Sequence, residues 1–240
     1  MDSSKTEKRE TDKDSKVRKK SRLRKLAIWL LVDLGVAALV IILLLYRPGR
    51  YNPLSSAGFK PGEVSPYLTD LSAAVYNGAQ LGEPFDVVVS QEAINDMIAR
   101  GDWPKEEGGV MLYAPAAVLE PGIAVLMATA NVKGMEFIVT IELEPKIDEQ
   151  GLLILRVAKL KVGAMNITPL AKMIAKKMYA DQIAARPIDT EAWQTKIVAS
   201  LLNDEPFEPI FSTGENNVRV RVGKVAVQKE KVRLQLIPVQ

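Results

Sequence analysis

Residues Leu26 to Tyr46 read LAIWLLVDLGVAALVIILLLY, 21 positions with a single charge. At a rise of about 1.5 Å per residue such a helix matches a bilayer hydrocarbon core of roughly 30 Å. The flanks are asymmetric. Lys16, Arg18, Lys19, Lys20, Arg22, Arg24 and Lys25 precede the run, and only Arg47, Arg50 and Lys60 follow closely. An excess of Lys and Arg marks the cytoplasmic side, which predicts a single transmembrane helix in the cell membrane, N-terminus cytoplasmic and C-terminus extracytoplasmic. Trp29 and Tyr46 fall near the two interfaces. The run exceeds the 7–15 residues of a signal-peptide core, and no small-x-small site precedes a plausible break, which favours a retained signal-anchor over a cleaved leader. Asp33 interrupts the run. An intramembrane acid fits either contact with a polar partner helix or an off-centre carboxylate relieved by water and Lys25.

The run divides the chain. Residues 1–25 hold 11 Lys+Arg and 5 Asp+Glu, whereas the formal charge of the whole chain is +3, so everything beyond Lys25 sums to −3. The first 25 residues read as a disordered basic cytoplasmic tail. The mildly acidic remainder lacks the concentrated basic face that nucleic acid requires. Histidine and cysteine are absent throughout. That excludes imidazole bases, Ser-His-Asp and Cys-His sites, thiolate zinc centres and disulfides. No cofactor or metal is expected, since no loop carries calcium-site spacing and no glycine fingerprint for phosphates is found.

Residues 47–83 read as a linker with one short helix, in which the Pro, Gly and Ser of RPGRYNPLSSAGFKPGEV precede Ser65-Pro66 as N-cap and first helical position. Leu68, Leu71 and Val75 follow at helical spacing, with Asn77-Gly78 as a stop. Residues 84–240 then form the extracytoplasmic domain. Phe85 to Val89 is a strand, and Ser90 caps a helix with Ile94, Met97 and Ile98 on one face. A strand meander follows: Val110 to Tyr113, Ala117 to Leu119, Ile123 to Val132, and a strand in which Phe137, Val139, Ile141 and Leu143 alternate with Glu136, Thr140, Glu142 and Glu144. The first set is expected on the buried face and the second on the wet one. From Leu152 to Val162 the apolar parity changes, which a bulge near Ala158 explains. Two helices come next. The first starts at Thr168-Pro169, with Leu170, Met173, Ile174 and Met178 on one face; the second is capped by Thr190, with Trp193, Ile197 and Leu201 in register. A closing hairpin changes parity at Gly223. The fold class is α+β, a strongly curved antiparallel sheet with helices against one face.

An N-terminal anchor, a strand leading into S-x-x-x-I-N-x-M-I (Ser90 to Ile98), a meander ending in V-x-x-L-x-V-G (Val157 to Gly163), a Pro-started helix and a terminal hairpin together resemble the YpmS-like family of single-pass bacterial proteins. The layout of residues 84–238 is also similar to one half of the tubular lipid-binding (TULIP) fold, in which a curved sheet wraps a helix around an acyl-chain cavity. The helix pair between Thr168 and Leu202 is longer than that layout has. The resemblance implies a lipid ligand and no catalytic residue.

On this reading the candidate hydrophobic site comprises Ile94, Ile98, Leu126, Met127, Phe137, Val139, Ile141, Met173 and Met178. The strand Ile123 to Val132 is apolar on both faces, as a strand lining a cavity or one beneath a helix would be. Met97, Met111, Met127, Met135, Met165, Met173 and Met178 suit either an adaptable pocket or ordinary gap-filling. Lys172, Lys176 and Lys177 would meet anionic headgroups or form a solvated helix face. Glu142, Glu144, Asp148 and Glu149 read as wet-face and turn acids, and Asn166-Ile167-Thr168, although a glycosylation triplet, reads as a helix cap. The function expected is a membrane-anchored extracytoplasmic binding module for lipid or another hydrophobic envelope molecule. A non-catalytic structural or regulatory subunit of an envelope assembly is the alternative, with Asp33 meeting a protein partner. A carboxylate, serine or lysine hydrolase ranks last, because the commonest general base is missing.

Overall fold

The computed structural model describes residues 25–55, 59, 63–174, 177, 193–213 and 218–239. Most of the basic tail, together with Lys176, Met178 and the cap at Thr190, lies outside these residues. The chain divides after Leu44 into two compact units. The first contains α1 (Lys25–Leu44), with a mean hydropathy of 2.8, long and apolar enough to cross a membrane. Asp33 is exposed on it.

The second unit is α+β, with two antiparallel sheets packed against helices. A single curved sheet was expected, and two are found. The four-stranded sheet has the order β1 (Phe85–Ser90), β10 (Lys231–Val239), β9 (Val218–Gln228), β8 (Ile210–Thr213). The six-stranded sheet runs in chain order through β2 (Lys105–Glu107), β3 (Val110–Glu120), β4 (Ile123–Val132), β5 (Met135–Ile147), β6 (Leu153–Val162) and β7 (Met165–Asn166). The helices are α2 (Pro66–Gln80), α3 (Gln91–Ala99), α4 (168–174) and α5 (Trp193–Asn203).

Several local signals act as their chemistry dictates. Ser90 caps α3, its hydroxyl accepting from the Ala93 N–H at 3.1 Å. Ala158 is the extra residue where β6 slips against β5, since Glu142 faces Lys159 and Leu143 faces Val157. Gly223 does the same between β9 and β10, where Leu236 faces Val222 and Gln235 faces Lys224. Other expectations fail for identifiable reasons. Val110 to Tyr113 and Ala117 to Leu119 are one strand, bulged between Tyr113 and Ala116, with Ala114 at φ 51°. The helix α2 runs through Asn77-Gly78 to Gln80, because Gly78 faces the ring of Phe85 and admits no side chain there.

The largest correction concerns the linker. Six residues, 45–50, part Leu44 from the first buried side chain, Tyr51, which is 5% exposed and lies inside the expected linker. Its ring joins Ala116, Val125, Met127 and Ile138 in a core on one face of the six-stranded sheet. Further along, Phe59 lies 4.2 Å beneath the Arg100 guanidinium, and Ser65 donates to Asp96 at 2.5 Å. A second core lies under α2, where Val75 meets Val87, Val220, Val222 and Leu236. Ile147 of β5 packs against that cluster and links the two sheets.

Candidate hydrophobic groove

Tyr51 also decides which face of β5 is dry. The buried residues are Ile138, Thr140 and Glu142, while Phe137, Val139, Ile141 and Leu143 are half-buried, the reverse of the expected parity. Register explains it. Val125, Met127 and Thr129 of β4 stand opposite Glu142, Thr140 and Ile138, all on the side that Tyr51 closes. An acid tolerates this place only with compensation. Lys161 Nζ donates to Glu142 at 2.6 Å, Lys159 lies 3.5 Å away and Arg50 3.6 Å away. Burial pushes the Glu142 carboxyl up, but the hydrogen bond and charge of Lys161, then Lys159, outweigh it and hold the carboxyl below its ordinary value. Glu142 is therefore a structural ion centre and not a wet-face residue.

The opposite face carries the groove. Leu126, Ile141, Leu143, Val157 and Leu160 form its floor, and Thr168, Ala171 and Lys172 of α4 with Leu201 and Leu202 of α5 form its walls, around a volume of about 250 Å³. Hydroxyls on the two helices hold those walls to β6. Thr168 Oγ1 accepts from the Leu160 N–H at 2.7 Å and donates to Asn166 Oδ1 at 2.6 Å. The fully buried Ser200 accepts from the Leu155 N–H at 2.8 Å. Phe207 pairs with Leu153 beyond them, exchanging bonds of 2.8 and 3.0 Å. The outer edge of β6 is thus closed by helix and loop groups instead of another long strand. The two polar groups on the walls are also occupied, Thr168 as described and Lys172 with Asp204 at 3.8 Å.

The edge of β3 is closed in the same way. Asn95 of α3 donates to the Ala117 carbonyl at 2.8 Å and accepts from the Ala117 N–H at 2.6 Å, while Gln91 accepts from the Leu119 N–H at 2.7 Å. Beside them Asp96 binds Arg100 through two hydrogen bonds of 2.9 and 3.1 Å. The Arg100 bonds, with Ser65 assisting, hold the Asp96 carboxyl below its ordinary value against the cost of burial.

Of the residues expected at a hydrophobic site, the structure brings Leu126 and Ile141 into the groove, with Lys172 on its wall. Met127 points to the other face and belongs to the Tyr51 core. Phe137 and Val139 share the strand face of Ile141 but lie outside the lining. Ile94 and Ile98 are half-buried on α3, whose buried side is Ala93, Asp96 and Ala99. Met173 is 64% exposed, as are Leu170 and Ile174 in large part, so the apolar stripe of α4 faces outward and not into a core. Lys177 is exposed, and Lys176 and Met178 lie outside the described residues. Leu143, Val157, Leu160, Thr168, Ala171, Leu201 and Leu202 line the groove without having been expected there; the parity change at Ala158 is the signal that puts Val157 and Leu160 on one face. Among the described residues no cluster of three or more acids could hold a metal ion.

Comparison of the chain with family models, curated proteins and solved structures finds no match.

Proposed function

We propose that this chain is a membrane-anchored extracytoplasmic binding module that accommodates an acyl chain, or a similarly slender hydrophobic envelope molecule, in the groove between β4–β6 and the helices α4 and α5. The observation that carries the reading is the lining: eight of its ten residues are apolar, and the remaining Thr168 and Lys172 are engaged elsewhere. A volume of about 250 Å³ lies just below the ~300 Å³ at which small-molecule sites begin, which suits one chain and not a whole lipid. The exposed Leu170, Met173 and Ile174 on α4 support delivery from a lipid surface, and α1 with its basic flank supports a retained span with the N-terminus inside. The reading is one of binding without catalysis. The alternative, a structural or regulatory subunit of an envelope assembly, draws on Asp33 in the apolar helix.

The test uses the full chain in membranes containing a photoreactive diazirine fatty acid. Irradiation and peptide mapping should place label on β5, β6 or α5, and Ala171→Trp should remove it there. Label confined to residues 25–44 in both proteins would sink the proposal.

A further inference from the structure

Exposed apolar side chains gather on one short helix beyond α1. Leu170, Met173 and Ile174 of α4 are 53, 64 and 48% exposed, and among the described residues beyond α1 no other stretch of five holds three large apolar side chains this open. They stand at i, i+3 and i+4, which is one face of a helix. Ala171 and Lys172, between them in sequence, wall the groove. On α5 the residues Val198, Leu201 and Leu202 repeat the spacing; the last two line the groove and Val198 is exposed. Exposed apolar residues therefore stand on both helices of the groove wall, and Leu126 of its floor is exposed as well. An apolar patch of this kind marks a surface that meets another phase or another molecule.

The path of the chain says which. Arg50 meets Glu120 and Glu142, and Ile141 and Leu143, on either side of Glu142 in β5, are groove floor. The chain thus enters the sheet at the end that carries the groove, whereas Met135 at the other end of β5 lies about 27 Å along the strand from Leu143. Residues 45–50 extend at most about 20 Å. Taking α1 as a retained span, the reading on which this inference rests, that tether keeps the groove end of the sheet, and with it α4, within reach of a lipid surface. Charge agrees. Residues 150–180 hold six Lys and Arg and no Asp or Glu. The cations of β6 meet Glu142 and Glu144, and Lys172 meets Asp204. Lys177 is exposed four residues beyond Met173, where a lysine reaches headgroups while its stem stays with the apolar face.

We propose that α4 lies in the membrane interface, with Leu170, Met173 and Ile174 among the acyl chains and Lys177 at the headgroups, so that the groove opens onto the lipid itself. The occupant of this face is the bilayer and not a protein partner, because the tether brings the bilayer to this end of the sheet in every molecule. The contact stands whether or not the groove takes up a chain.

The chain has no cysteine, so one introduced Cys carries an environment-sensitive NBD label at a chosen place. The full chain is reconstituted in vesicles of phosphatidylcholine and phosphatidylglycerol, with and without lipids bearing a doxyl quencher high on the acyl chain. Label at Met173→Cys should shift its emission to the blue and be quenched at least about threefold more than label at Met135→Cys, because an interfacial helix sinks roughly 5–10 Å below the headgroups. Met135 is a similarly exposed methionine and controls for the label. Adding Leu170→Gln and Ile174→Gln to the chain labelled at 173 should remove at least about two-thirds of the quenching, since the apolar face is what holds the helix down. All four positions are exposed, so no core contact is lost. No quenching at 173, equal quenching at 135 and 173, or quenching that survives the two glutamines overturns the proposal. Absence of quenching with groove photolabelling retained overturns this proposal alone; quenching at 173 without groove photolabelling supports it and counts against the binding reading. Release of the chain by alkaline carbonate would remove the retained span, and this inference with it.

Discussion

The hydroxyl of Tyr51 donates to the carbonyl of Ala114 at 2.6 Å, at the bulge where that alanine holds φ 51°. Thr129 Oγ1, 2.8 Å from the same oxygen, completes the contact. One side chain thereby ties the segment that follows α1 to an irregularity in β3. Tyr51→Phe leaves a half-buried carbonyl and the buried Thr129 hydroxyl without their partner, and should cost about 1–3 kcal/mol in denaturant unfolding. Tyr51→Ala opens a cavity beside Val125 and Met127 as well and should cost about 3–5 kcal/mol.

Glu142 makes stability depend on pH in one direction. Its folded carboxyl titrates below its ordinary value, so its contribution is complete above the unfolded value and is lost as pH falls through the folded one. Melting measured from pH 7 to pH 3 should show stability declining below about pH 4. Glu142→Gln should cost about 1–3 kcal/mol at pH 7, and should flatten the decline. Asp96 shifts in the same direction and leaves a residual slope. Most of the loss traces to Lys161, since Lys159 and Arg50 are more exposed and screened.

Asn95 is matched to both main-chain groups of Ala117. Asn95→Ala strands a donor and an acceptor and should cost about 2–4 kcal/mol. Asn95→Asp keeps the acceptor but cannot donate, and should fall at or beyond the cost of alanine. Hydrogen exchange at the Ala117 amide reads the difference, being slow in the native chain and fast in Asn95→Ala.

Gly78→Ala should destabilise, although alanine in a helix normally gains about 1 kcal/mol over glycine. A Cβ there would stand 2.5 Å from Phe85 Cε2 and 2.7 Å from its Cγ. Crowding a packed ring costs about 1–3 kcal/mol. The double variant Gly78→Ala with Phe85→Leu should recover part of that loss in the same unfolding assay.

Filling the groove separates binding from folding. Ala171→Trp places an indole where the walls meet the floor of Leu126 and Ile141. Photolabelling of β5, β6 and α5 should fall at least about tenfold, while stability in unfolding changes by less than about 1 kcal/mol, because the half-buried Ala171 faces groove space and not a packed core.

How much of this was legible follows from range. Ser90 as a cap and the parity changes at Ala158 and Gly223 are local signals, written within a few residues, and the structure has them. The facing of β5 was not legible. Alternation of Phe137, Val139, Ile141 and Leu143 with Thr140 and Glu142 says that two faces differ but not which is covered. Tyr51, some ninety residues earlier, decides that, and its surroundings of Pro, Gly and Ser give the appearance of a linker. The groove was half legible for the same reason. Leu126 and Ile141 follow from strand pattern, whereas Leu143, Val157 and Leu202 depend on where two helices come to rest. Asn95, Gln91, Thr168 and Ser200 carry no local signal of their role, because their partners are main-chain groups whose need for a partner is set by strand order.

The hydroxyl of Ser200 on the Leu155 amide has a consequence for how the groove breathes. Swinging α5 outward breaks that bond in a buried place, at about 1–3 kcal/mol before any packing is lost. The widened form is then at most on the order of ten per cent of the molecules. A guest that fits the narrow form binds at its intrinsic affinity, and a bulkier one is weakened by the rarity of the form it needs. On the proposed reading of the groove, the bonds of Ser200 and Thr168 to β6 set its resting width, and straight chains are expected to be favoured over branched ones.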